Sequence, residues 1–158
     1  MTKKNIFDFI FIFLIFLFDR ISKFLAIEMS KKYGDFEYAI NSFLSINLIW
    51  NDGIAFGLFS YDDKFYYNLL SVVILIVISL VFYLMINSNG LEKFGFIMVF
   101  GGSLGNIFDR LMYSSVPDFI DFHYKDFNWF IFNVADIFIS LGVMLLIYSE
   151  FFKVKKYE

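Results

Sequence analysis

The sequence predicts an all-α membrane protein: a single polytopic domain with four transmembrane helices over 1–158. Three observations predict it. Apolar residues make up 59% of the 158 positions and aromatics 23%, with 25 Phe and a mean hydropathy of +0.69. An average soluble domain is about 45–50% apolar, and a chain this short cannot hide the excess from water. Four stretches are each long enough to cross about 30 Å of hydrocarbon. Polar residues inside those stretches gather at particular ends.

The first span covers 6–27. Its purely apolar part, Phe9 to Phe18, is too short alone, so the helix carries Asp19, Arg20 and Lys23 near its far end. The start, MTKKNIFDFIFIFLIFLF, has the charged and apolar regions of a signal peptide, but no small-x-small cleavage site follows; a retained span is expected. The second span, 65–86, lies in a stretch without charge from Phe65 to Leu91. The third, 94–113, ends in Asn106, Asp109 and Arg110. The fourth, 130–149, carries Asn133 and Asp136 in its first two turns. Of the connections, 28–64 contains SINLIWNDGIAF, whose alternation and Asn-Asp-Gly signal predict a short surface strand and turn. The 114–129 connection holds Tyr124, Phe127 and Trp129, suited to an interfacial aromatic belt.

Lys3 and Lys4, Lys93, and Lys153, Lys155 and Lys156 share one side of a four-span chain, which the positive-inside rule makes cytoplasmic, with both termini. The polar ends of the first, third and fourth spans then meet at the opposite face. Asp19, Arg20, Lys23, Asn106, Asp109, Arg110, Asn133 and Asp136 lie near the outer leaflet, with Asn51 and Asp118 in the outer loops. Helical spacing lets Asp19 pair with Lys23 at i, i+4 and sets Asn106, Asp109 and Arg110 on one stripe. Gly101 and Gly105 permit close helix contact beneath them. An ionisable residue within a span is costly unless paired or hydrated, and so points to function. Taken alone, Asp19, Arg20 and Lys23 are most simply helix-end residues snorkelling to the headgroups. Asp121 and Asp126 read as solvated loop charges, and Asp8 as hydrated or paired with a neighbouring lysine. Asn133 and Asp136 resist such readings because apolar or small residues flank them.

A net charge of −3 without a basic stripe excludes nucleic acid as a partner. The absence of Cys removes disulfide and thiolate chemistry, and the single His123 leaves a zinc site short of its commonest ligands. What remains is carboxylate chemistry. Two aspartates held close share a proton, one acting as general base on water while the other donates to the carbonyl oxygen. Asp118 and Asp136 can meet, because the loop bearing the first returns to the helix bearing the second.

Five stretches in order carry a resemblance: DRISK at 19–23, NDGIAFGLF at 51–59, GGSLGNIFDR at 101–110, VPDFIDF at 116–122 and FNVAD at 132–136. Together they resemble the bacterial lipoprotein signal peptidase (signal peptidase II) family. The resemblance implies an aspartic endopeptidase of the inner membrane that cuts a diacylglyceryl-modified prolipoprotein just before the lipidated cysteine. It implies Asp118 and Asp136 as the catalytic pair. Asp19, Lys23, Asn51, Asn106, Asp109, Arg110 and Asn133 would orient the pair and hold the substrate. It further implies a small extracytoplasmic β-cradle over 28–64, a short loop helix over 114–129 that closes on the site, and inhibition by globomycin. The expected partners are the lipidated substrate and membrane phospholipid; the expected state is a monomer, with no cofactor or metal. Two departures stand out: Ser114 replaces a common glycine, and Pro117 directly precedes Asp118, which leaves Asp121 as the alternative to it. From the residues alone, a proton-coupled transporter or a membrane adaptor also accommodates a polar cluster in a helical bundle.

Overall fold

The computed structural model describes residues 3–34, 37–52, 64–124 and 127–154. Four helices form: α1 (Lys3–Tyr33), α2 (Lys64–Asn87), α3 (Gly90–Tyr113) and α4 (Val134–Val154). Between them lie β1 (Glu37–Asn41), β2 (Leu44–Asn51), β3 (Val116–Tyr124) and β4 (Phe127–Phe132), one antiparallel sheet in the order β1-β2-β3-β4.

α3 is the hub, packing against each of the other three helices. Its glycines make this possible. A Cβ on Gly102 would stand 2.6 Å from the Ala135 carbonyl oxygen of α4, and one on Gly105 would stand 2.4 Å from Asp19 Oδ2 of α1. Gly101 faces Ile15 of α1, so the expected Gly101–Gly105 pair seats α1. The outward helix faces are apolar, with Phe9, Phe13, Ile76 and Met144 among the exposed side chains. By length and composition, two stretches among the described residues are apolar enough to cross a bilayer, Leu69–Asn87 and Val134–Phe152. α1 and α3 instead carry the charged and amide side chains considered below.

The expected strand near 46–50 is present as β2, paired with β1 across Glu37↔Asn47 and Ala39↔Ser45. Residues 53–59 of the NDGIAFGLF stretch lie outside the described residues. The 114–129 connection corrects the expectation of a loop helix: it forms β3 and the start of β4. Ile120, Phe122 and Tyr124 alternate with other side chains at strand period, Pro117 opposes helical geometry before it, and β2 offers an open edge. Pairing runs Ile49↔Asp118 and Trp50↔Pro117 on one side and Ile120↔Phe132 on the other. For the same reason the fourth helix begins at Val134 rather than 130. α1 also runs on to Tyr33, beyond the expected end at 27. The proline-free side of the turn into β3 is made by Ser114, whose φ of 57° puts it in the left-handed region where glycine is at ease.

Candidate functional site

Asn133 lies between the end of β4 and the start of α4, and its position organises the site. Its side-chain oxygen accepts the Asp136 backbone N–H at 3.1 Å, while its own backbone N–H donates to Asp136 Oδ2 at 3.1 Å. This reciprocal pair is a capping box, with aspartate in the place usually held by glutamate. It answers two orphan amides of the helix start and fixes the Asp136 carboxyl there. The remaining Asn133 group, Nδ2, donates to Asp118 Oδ1 at 2.6 Å. One asparagine thus holds both aspartates.

The other carboxylate oxygens are held from other elements. Asn51 at the end of β2 donates to Asp118 Oδ2 at 2.9 Å. Asn106 on α3 donates to Asp136 Oδ1 at 2.8 Å. Asp118 reaches the site because β3 alternates: Asp118 turns to the side of Asn51 and Asn133, while Asp121, three residues on, turns the other way. Asp118 is 4% exposed. Burial pushes its carboxyl up to about 6, and the charge of Asp136 adds to the rise, against the lowering effect of Asn51, Asn133 and Lys23.

Beneath the pair sits an ionic quartet. Lys23 donates to Asn106 Oδ1 at 2.8 Å and Asp109 Oδ2 at 2.7 Å, and pairs with Asp19 at 3.0 Å. Arg20 grips Asp109 through both terminal guanidinium nitrogens, Nη2 at 2.6 Å, and also reaches Asp19 at 2.6 Å and the Gly105 carbonyl at 3.1 Å. Its guanidinium lies over the rings of Phe16 and Phe108. Asp19 in turn accepts the Ala135 N–H at 3.0 Å, placing negative charge at the start of α4, where the helix dipole favours it. Two cations balance two anions, so the quartet leaves no net charge to neutralise Asp118 and Asp136. Lys23 also fixes which end of the Asn106 amide faces Asp136.

Of the residues singled out in sequence, Asp19, Lys23, Asn51, Asn106, Asp109, Asn133, Asp118 and Asp136 come together. Arg110 is buried in the last turn of α3, its carbonyl accepting the Ser114 N–H. Snorkelling is corrected: Asp19 is fully buried and Lys23 is 2% exposed, because each has inward partners worth more than exposure. Asp121 is corrected likewise; it is buried, not solvated. Asp8 pairs with Lys93 of α3. The sequence places Arg20 in the converging polar cluster but assigns it no role in the site. The available signal was its place between Asp19 and Lys23, with a second acidic residue, Asp109, on the stripe that faces it.

Among known proteins, residues 11–152 match the family model described as Signal peptidase (SPase) II. The lipoprotein signal peptidase of Pelagibacter ubique is 41% identical over 156 residues, covering 96% of this chain and 94% of that one. That of Clostridium tetani is 37% identical over 143 residues, 89% of each chain. A bacterial membrane enzyme solved by the in meso method at 2.3 Å resolution superposes with a TM-score of 0.77 at 27% identity, covering 96% of this chain and 91% of that one.

Proposed function

Because the chain belongs to the signal peptidase II family of aspartic peptidases, we propose that Asp118 and Asp136 are its catalytic carboxylates. The protein is a membrane peptidase that removes signal peptides from prolipoproteins. The observation that carries the assignment is the bridging of both carboxyls by Asn133.

The pair holds one proton between them, since two buried carboxylates in one site do not both ionise cheaply. The ionised member takes a proton from water as the water oxygen attacks the scissile carbonyl carbon. The protonated member donates its proton to the carbonyl oxygen. On collapse of the diol intermediate the C–N bond breaks and the proton gained from water passes to the leaving amine. A hydroxyl proton of the diol returns to the carboxyl that had donated, restoring the singly protonated pair. Among the described residues each carboxyl oxygen accepts a hydrogen bond from the protein, and a carboxylate oxygen has lone-pair capacity for a further one, from water or substrate. Asn51, Asn106, Asn133 and the quartet of Asp19, Arg20, Lys23 and Asp109 act as positioning residues; Arg110 is assigned to the substrate backbone. No metal or organic cofactor enters this reaction.

The four helices span the bacterial inner membrane, with both termini cytoplasmic and the sheet outside. The substrate is a diacylglyceryl-prolipoprotein, cut before its lipidated cysteine, and the enzyme acts as a monomer among phospholipids. The placement of charge follows: the acyl chains occupy the outer leaflet, so the scissile bond arrives at the interface where the carboxyls stand.

Asp118→Asn and Asp136→Asn, purified in detergent and given diacylglyceryl-modified prolipoprotein, should remain folded and lose about 10²–10⁴-fold in cleavage rate, read by mass loss of the signal peptide. Near-normal turnover in either folded variant overturns the pair.

A further inference from the structure

A second convergence of ligand-type side chains lies on the sheet, away from the aspartate pair. Glu37 on β1 and Asp121 and His123 on β3 bring two carboxylate oxygens and an imidazole nitrogen within 4.8 Å of one another. The register accounts for it. Glu37 stands opposite Asn47 and Asp121 opposite Ser45; residues two apart on a strand share a face, which adds His123.

Three atoms there lack partners. Asp121 is 3% exposed and Ser45 fully buried, yet Asp121 Oδ1, His123 Nδ1 and Ser45 Oγ have no hydrogen-bond partner among the described residues. A buried carboxylate oxygen left unmatched is costly. Asp121 Oδ1 and His123 Nδ1 are 4.0 Å apart. That is too far for a hydrogen bond and wider than the roughly 3.4 Å between two ligand atoms on a tetrahedral ion with bonds of about 2.0–2.2 Å, so a small side-chain rotation would bring both onto one ion. Glu37 is exposed and free to swing onto the same ion.

We propose that Glu37, Asp121 and His123 bind one divalent first-row transition-metal ion of the zinc class, clipping edge strand β1 to β3. An imidazole nitrogen with two carboxylates suits such an ion over magnesium or calcium, which take oxygen ligands alone. Water or the Ser45 hydroxyl completes the shell. The role is structural. All five residues of β1 are exposed, so little apolar burial holds this edge, and the clip ties it to the strand that carries Asp118. No step of the hydrolysis runs through the ion.

The full chain in detergent, purified on a tag without histidine, is titrated with Zn²⁺ against a chelating indicator. With no Cys and one His in the chain, competing sites are few. The expected result is one equivalent bound and a raised unfolding temperature. His123→Ala and Glu37→Gln should each weaken binding at least about tenfold and abolish the thermal shift. Asp121→Asn should do the same where it folds; the other two variants carry the test where it does not. No binding by the unaltered chain, unchanged affinity in a folded His123→Ala, or displacement of Zn²⁺ by equimolar Ca²⁺ or Mg²⁺ overturns the site.

Discussion

Asn51 and Asn133 each give one N–H to Asp118, and these bonds favour its charged form while burial and Asp136 oppose it. With the carboxyl near 6 against an ordinary 3.8, its proton is bound more tightly in the folded protein than in the unfolded chain. That protonation contributes stability below pH about 4, and the contribution is lost as pH rises through about 6. On the proposed assignment, loss of the proton shared by Asp118 and Asp136 sets the alkaline limb of kcat/KM, which reports the free enzyme. Replacing Asn51 by Leu removes a donor to the carboxylate, so the limb should move to higher pH; a pH–rate profile of the variant checks it. A limb that stays put or moves to lower pH would mean that this bond does not govern the shared proton.

The α1–α3 contact depends on the missing side chain of Gly105. A methyl there would lie 2.4 Å from Asp19 Oδ2 and 3.0 Å from its Cγ, pressing on the carboxylate that also receives the Ala135 N–H. Gly105→Ala should therefore lower stability by about 1–3 kcal/mol and slow cleavage together, seen in thermal unfolding and turnover. Gly101→Ala meets Ile15 side-chain atoms no nearer than 3.2 Å, its Cβ among them, and should cost less. Equal effects at the two positions would show that the contact is not organised by Asp19. The capping box works at the same level: because Asn133 and Asp136 answer each other's amides, the start of α4 and the aim of the Asp136 carboxyl are one feature.

For the whole molecule, the apolar outer faces of the helices and a polar cluster at one end are what the proposed placement in lipid rests on. The topology proposed above has a direct check, since the chain has no native cysteine. Asn41→Cys, on exposed β1, should react with a membrane-impermeant maleimide in intact cells. Ser88→Cys, between α2 and α3, should react only after permeabilisation. The reverse pattern overturns the orientation, and labelling of both from outside overturns the four-span arrangement.

Much of this was legible along the chain. The apolar stretches within 6–27, 65–86, 94–113 and 130–149 mark the helices α1–α4. A charge inside such a stretch is costly without a partner, which is the reason to expect Asp19, Lys23, Asn106, Asp109 and Asp136 to converge. The strands over 116–132 were not legible, because pairing with β2 joins residues some seventy positions apart, as in Asn51↔Val116, and local pattern alone left a helix open. Nor could local pattern say that Arg20 grips Asp109, that Asn133 holds both aspartates, or that Asp118 rather than Asp121 turns toward the site. Those follow from strand parity and helix docking. The sequence by itself determined which groups are too costly to leave alone in lipid; only the tertiary structure decided which partner each one found, because partnership depends on distances that no single segment contains.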